Sequence, residues 1–368
     1  MIYLDSAATS FQKPPEVAKA VLEAMARCAS PGRGGYREAM EAADLLYRCR
    51  ERFAAFFECE PEQVVFTGSA THSLNLAIKS LVKPGDRVVV SGFEHNAVMR
   101  PLKALGADIV TAGTKLFDRA DTIRSFQKAL TPDTKAAVCT HVSNVFGYVL
   151  PIEEIAALCR RRGIPLVIDA AQSAGHFPLR LKTLGAAYIA MPGHKGLYGP
   201  QGTGILLCGR FPSETLIEGG TGSLSREMNM PEFLPDRLEP GTANVPGIAG
   251  LEAGLAFVER VGLGEIRLRE DLLLRRLREG LSAVEGACCF SGTPQSGVLS
   301  VLFERLDCES AAERLAERGI AVRAGLQCAP QAHRSAGTLE VGTVRLSVSL
   351  FNTEQEIKSV LRVLTEIS

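Results

Sequence analysis

Between residues 60 and 210, short apolar runs alternate with helical stretches. The runs are Gln63–Thr67, Arg87–Ser91, Lys135–Thr140, Pro165–Asp169, Ala186–Met191 and Gly202–Cys208. Their apolar positions are contiguous rather than alternating, as in strands covered on both faces. Leu150-Pro151-Ile152-Glu153-Glu154 opens a helix, with proline suited to the first turn and acids opposing the dipole. That helix stops at Arg160-Arg161-Arg162-Gly163, where cations and a glycine favour its end. This alternation predicts an open, mostly parallel α/β sheet with helices on both sides.

After residue 210 the pattern changes. The Gly- and Pro-rich stretch from Glu218 to Pro246 reads as an ordered functional loop. A helical region is expected over Pro246–Leu281, strands over Val298–Phe303 and Thr343–Ser349, and helices near Cys308–Arg318 and Thr353–Ile367. Thr353-Glu354-Gln355-Glu356 fits a capping box. The expected division is a large α/β domain over residues 15–245 and a smaller α+β domain formed by residues 1–14 and 246–368.

Chemistry concentrates at the ends of the predicted strands. Pro165-Leu166-Val167-Ile168 runs into Asp169, and Lys195 lies further on, in Gly193-His194-Lys195-Gly196. A lysine held between glycines, after a strand ending in Asp, suits pyridoxal phosphate. The amine supplies a Schiff base, and the carboxylate pairs with the pyridinium nitrogen so that the ring acts as an electron sink. Alone, Lys195 reads first as a surface lysine in a glycine-rich turn; Asp169 at the end of a preceding buried strand tips the balance to the cofactor. Thr67-Gly68-Ser69-Ala70-Thr71 enters a helix and offers backbone N–H groups to a phosphate, although ordinary capped turns look the same. His95 follows the strand ending at Ser91, where open α/β sheets bind ligands. It can stack on an aromatic cofactor and move protons, or simply be satisfied by loop backbone. Asn144 follows another strand end and can hydrogen-bond cofactor or substrate. Gln172, three residues beyond Asp169, can reach the cofactor's phenolic oxygen.

Composition excludes several classes. With 41 basic and 41 acidic residues, net charge is zero, so nothing recruits nucleic acid or an anionic membrane. No basic stretch leads into an apolar run at the start, and no stretch is long enough to span a bilayer, which points to a cytoplasmic protein. The ten cysteines include no Cys-x-x-Cys pair and read as reduced thiols, most of them small core residues.

Together, Tyr3-Leu4-Asp5-Ser6-Ala7-Ala8-Thr9, Phe66–Asn75, Glu94-His95, His141–Gly147, Ile168–Gln172, Gly193-His194-Lys195, Leu238-Glu239-Pro240-Gly241-Thr242, Arg323–Ala329 and Arg345–Thr353 resemble the class V aminotransferase family of pyridoxal phosphate enzymes. Within it the chain is most similar to cysteine desulfurases and selenocysteine lyases. The resemblance implies fold type I, with Lys195 as the Schiff-base lysine, Asp169 as the pyridinium partner, His95 as the stacking residue and Gln172 at the ring oxygen. It implies Thr71 and His194 at the phosphate, joined by Thr242 from the second chain of a homodimer. It also implies Arg345 as the clamp on an amino-acid carboxylate, a bidentate task that suits a planar fork; a structural salt bridge is the alternative.

Cys328, in Arg323-Ala324-Gly325-Leu326-Gln327-Cys328-Ala329-Pro330, separates the activities. A desulfurase needs a thiolate there to take sulfur from L-cysteine as a persulfide; an aminotransferase does not. Arg323 and Arg345 are cations of the kind that favour a thiolate. The expected activity is thus a cysteine desulfurase or selenocysteine lyase passing sulfur or selenium to an acceptor protein. The alternatives are an aminotransferase or epimerase in which Cys328 is dispensable, or a scaffold or sulfur-relay protein without turnover. Three positions depart from the family pattern: Pro192 stands where serine is common, Ala70 where threonine is common, and Gln327 where histidine commonly precedes the reactive cysteine. Ser69 or a backbone N–H can compensate for the first.

Overall fold

The structure is a computed structural model that describes residues 1–31 and 34–367. Its larger sheet has seven strands in the order Val64–Thr67, Gly204–Cys208, Tyr188–Pro192, Leu166–Asp169, Thr134–Thr140, Arg87–Ser91 and Asp108–Ala112. Gly204–Cys208 runs antiparallel to both neighbours; every other pairing is parallel. The contiguous apolar runs have the expected physical cause, because each sheet face meets its own core. Phe66, Val89, Cys139, Ile168, Ile189 and Leu207 face one core. Val65, Val90, Val138, Val167, Ala190 and Leu206 face the other.

Only the edge strand Asp108–Ala112 lacks this pattern. It is exposed or half-buried over its first four residues, so it carries polar side chains and gives no apolar run. The helix Ile152–Arg161 begins and ends where proline, acids and arginines place it. Over residues 246–281 the structure has two helices, Val245–Val261 and Leu263–Leu281. Gly262 divides them with φ 85°, a backbone state that costs glycine little. Ile248, Leu251 and Leu255 of the first helix belong to the larger core.

A second sheet, Val344–Ser347, Val298–Phe303 and Ala287–Phe290, is antiparallel. It packs with the helices Leu263–Leu281, Cys308–Glu317 and Glu354–Ile367 around Leu299, Val301, Leu346 and Leu364. The capping box forms: Glu356 N–H donates to Thr353 Oγ1 at 3.2 Å, and Thr353 N–H donates to Glu356 Oε2 at 2.8 Å. At the other end of the chain, Ile2–Tyr3 pairs in parallel with Ile320–Ala321. This pairing leads Asp5 to Ser347, with which it forms a parallel bridge.

Candidate active site

The carboxyl ends of the parallel strands open into a cavity of about 200 Å³. Asp169 ends one strand and is paired across the sheet with Thr140 and Ala190. His95 and Asn144 follow the ends of the two strands beyond it. Lys195 arrives from the turn after Tyr188–Pro192. Ser69, Ala70, Thr71, Gln172, His194, Arg323, Cys328 and Arg345 line the same cavity.

Asp169 is 3% exposed. Its Oδ1 accepts from Ala171 N–H at 2.9 Å, and Oδ2 has no hydrogen-bond partner among the described residues. Burial raises its pKa against the pull of that N–H and of Lys195. Burial likewise brings Lys195 down to about 8, with Asp169 opposing and Arg345 assisting. Lys195 Nζ has no hydrogen-bond partner among the described residues.

Ser69 caps the helix Ala70–Leu81, its hydroxyl accepting from His72 N–H at 3.1 Å. That leaves the N–H groups of Ala70 and Thr71 without partners at the positive end of a three-turn helix facing the cavity, where an anion binds well. His194 is tied through Nδ1 to Thr9 Oγ1 at 3.0 Å, and burial next to Lys195 and Lys13 takes it to about 4. His95 caps the helix Asn96–Ala104, its Nδ1 accepting from Ala97 N–H at 3.0 Å. Burial, then Lys195, lowers it to about 4, so the ring is neutral with its proton on Nε2. Its backbone contact and its place on the cavity wall are therefore compatible. Gln172 Nε2 donates to Ala7 O at 2.8 Å, leaving one amide hydrogen for the cavity.

Arg345 is 2% exposed and occupies the second sheet opposite Ser300. Nη2 donates to Asp5 Oδ1 at 2.6 Å and Nη1 to the backbone oxygen of Asn144 at 2.9 Å; Nε is buried without a partner. Arg323, half-exposed, places Nε 3.6 Å from the other oxygen of Asp5. The N-terminal motif carries no signal for the role of Asp5, because its partner lies 340 positions away, beyond any local pattern.

Gln327 explains its own departure. Its side chain turns away from the thiol into a buried cluster, Oε1 accepting from His333 Nε2 at 2.9 Å and Nε2 donating to Thr343 O at 3.0 Å. His333 Nδ1 lies 2.7 Å from Thr338 Oγ1, and burial holds that ring neutral, near 4. Gln327 and Cys328 both have positive φ, 43° and 57°. The loop is pinned on both sides: Asn144 Nδ2 donates to Gln327 O and Asn96 N–H to Cys328 O, each at 2.8 Å. The thiol of Cys328 is exposed at the cavity.

Thr242 is exposed and lies outside this cavity, beside a separate hollow lined by Arg50, Tyr47 and Glu239.

The class V aminotransferase family model matches residues 2–360. The chain belongs to that family. A probable cysteine desulfurase of Methanothermobacter thermautotrophicus is 33% identical, covering 100% of this chain and 94% of its own. A probable cysteine desulfurase of Pyrococcus abyssi is 32% identical, with coverage of 100% and 94%. Among solved structures, the apo cysteine desulfurase of Thermococcus onnurineus NA1 superposes with a TM-score of 0.88 at 30% identity, covering 100% of this chain and 94% of that one. The fold is that of fold type I, and the family is pyridoxal phosphate-dependent. The residues present fit that group: an unpartnered amine for its aldehyde, an unpartnered carboxylate oxygen for its ring nitrogen, and free helix N–H groups for its phosphate. No described helix is long and apolar enough to cross a membrane.

Proposed function

We propose that this chain is a cysteine desulfurase, converting L-cysteine to L-alanine and holding the sulfur on Cys328. Lys195, Asp169, His95, Gln172, Asn144, His194, Ser69, Ala70 and Thr71 would hold pyridoxal phosphate. When bound, that group supplies an electron sink for the charge left when the α-proton departs. Lys195, brought to about 8, carries and returns protons near neutral pH. Arg345 and Arg323 orient the substrate carboxylate. Cys328 attacks the substrate sulfur: an S–S bond forms as the carbon–sulfur bond breaks, and a proton goes to the carbon that held the sulfur. The persulfide then passes to an acceptor protein.

The observation that carries this reading is the exposed thiol of Cys328 on the wall that also holds Lys195. An aminotransferase has no use for it there. Thr242, exposed and outside the cavity lining, serves the phosphate site of a second copy, so the assembly is a homodimer with residues from both chains at each site. A stable, active monomer in sedimentation would contradict that arrangement.

The test is incubation of cofactor-loaded protein with L-cysteine, L-selenocysteine or L-alanine, with and without a thiol reductant. From L-cysteine, alanine and protein-bound sulfur in equal amounts are expected without reductant, and alanine and released sulfide in equal amounts with it. Turnover of selenocysteine alone would make the chain a selenocysteine lyase. Pyruvate from alanine, without sulfur release from cysteine, would make it an aminotransferase.

A further inference from the structure

Ala7, Gln172 and Lys195 line two cavities. On one side is the cavity described above; on the other is a chamber of about 30 Å³, room for one water. Its far wall carries His176, Tyr198, Glu270 and Ser296. Glu270 is 4% exposed and Ser296 9%. Glu270 Oε1 and Ser296 Oγ have no hydrogen-bond partner among the described residues. Buried polar atoms in that state destabilise the fold unless a small polar species bridges them.

His176 joins the chamber to the lysine turn. Its Nδ1 lies 3.1 Å from Glu270 Oε2, an ion-pair contact without hydrogen-bond geometry. Its opposite edge is seated against Gly196, where a Cβ would come within 2.5 Å of Nε2. The imidazole therefore touches the residue after Lys195 on one edge and a buried carboxylate on the other. Burial works against a charged His176, but the Glu270 carboxylate outweighs it and raises the pKa. The other charged or titratable groups facing the pair are Arg267 and Asp271 on the helix of Glu270, Tyr198 on the same wall, Lys195 across the chamber, and His141 across Phe177. Arg267 sits 4.4 Å over the Phe177 ring and opposes protonation of His176.

We propose that His176 and Glu270 form a proton-holding pair that exchanges with Lys195 through a water bound in this chamber, an inference that rests on Lys195 being the cofactor lysine. A proton leaving Lys195 Nζ passes to the water, and one of the water's protons moves to Glu270 Oε1. The reverse transfer restores both. Only N–H and O–H bonds change, and no co-reactant is needed. Ser296 fixes the position of the water.

Two measurements test this, and neither uses cysteine or Cys328. The first is exchange of the α-hydrogen of L-alanine in heavy water by the cofactor-loaded protein. Glu270→Gln should slow it roughly tenfold or more, the low end of what a proton-transfer group contributes, with alanine affinity unchanged and partial recovery in Glu270→Asp. The second is the titration of His176 by NMR of histidine-labelled protein. Lys195→Met should raise its midpoint, because the chamber water couples the ring to Lys195, whereas in a purely structural pair Glu270 and Arg267 alone set it. If either quantity is unchanged, the pair is structural and the proposal is overturned. Should Glu270→Gln fail to fold, the Lys195→Met titration still decides. Absence of exchange in the wild type would remove the role assigned to Lys195, and the relay with it; failure of cysteine turnover alone would leave both measurements valid.

Discussion

Arg345 Nη2 stands 2.6 Å from Asp5 Oδ1, so the fork best shaped to hold an amino-acid carboxylate already holds one from the protein. Asp5 keeps a guanidinium that is 2% exposed from being a buried, uncompensated charge. Asp5→Ala should destabilise the fold by about 3–5 kcal/mol, the cost of breaking a buried pair from one side. Chemical denaturation checks this; an unchanged midpoint would mean that solvent reaches Arg345. Arg345→Lys keeps the charge and loses the fork, so KM for L-cysteine should rise about tenfold while the cofactor spectrum persists. An unchanged KM would restrict Arg345 to its structural pair.

Lys195 is held near 8 chiefly by burial. Only the neutral amine attacks an aldehyde. Uptake of pyridoxal phosphate by cofactor-free protein should therefore accelerate as pH rises to about 8 and level off above it. Stopped-flow growth of the visible imine band measures this. A rate still climbing toward the ordinary lysine range would show that the cavity is wetter than its geometry implies. Lys195→Ala should give no borohydride-trapped cofactor at any pH.

Cys328→Ser removes the sulfur nucleophile and nothing else in the cavity. Alanine production from L-cysteine should fall at least about a hundredfold, with cofactor binding retained. Mass spectrometry of wild-type protein after a cysteine pulse should find the added sulfur on Cys328 and not on Cys288, Cys289 or Cys308. Full activity in the serine variant would end the thiol mechanism.

His333→Leu removes the shorter of two donors to Gln327 Oε1, leaving only Thr343 Oγ1 at 3.5 Å inside a buried cluster, at a cost of about 1–3 kcal/mol. The effect should reach Cys328 through the loop: slower sulfur transfer, with KM and cofactor uptake unchanged. His333→Gln, which can still donate to Gln327, should recover part of the rate. If both variants transfer sulfur at the wild-type rate, Asn96 and Asn144 hold the loop unaided.

The large sheet was legible because burial on both faces writes a strand as an unbroken apolar run. Asp108–Ala112 escaped for the opposite reason, lying exposed at an edge. Gly262 was visible as a residue, yet the apolar pattern continues across it, so one helical region was expected where two helices stand. Of the residues that gather in the cavity, Asp169, Lys195, the Ser69–Thr71 turn, His95, Asn144 and Gln172 are legible at strand ends, whereas His194, Arg323, Cys328 and Arg345 follow from the family resemblance. Asp5 against Arg345, His333 under Gln327 and Glu270 beside His176 were not legible, since each pair is made by tertiary packing and neither member signals the other.

The strands of the large sheet lie within residues 64–208, whereas Ile2 pairs with Ile320 and Asp5 waits for Arg345. A nascent chain emerging from the ribosome thus presents Asp169 and Lys195 well before the thiol loop or the carboxylate clamp exists. An amino acid cannot be gripped, nor sulfur accepted, until the later residues return to the first few. Synthesis order alone keeps the reactive thiol from operating in a half-made protein.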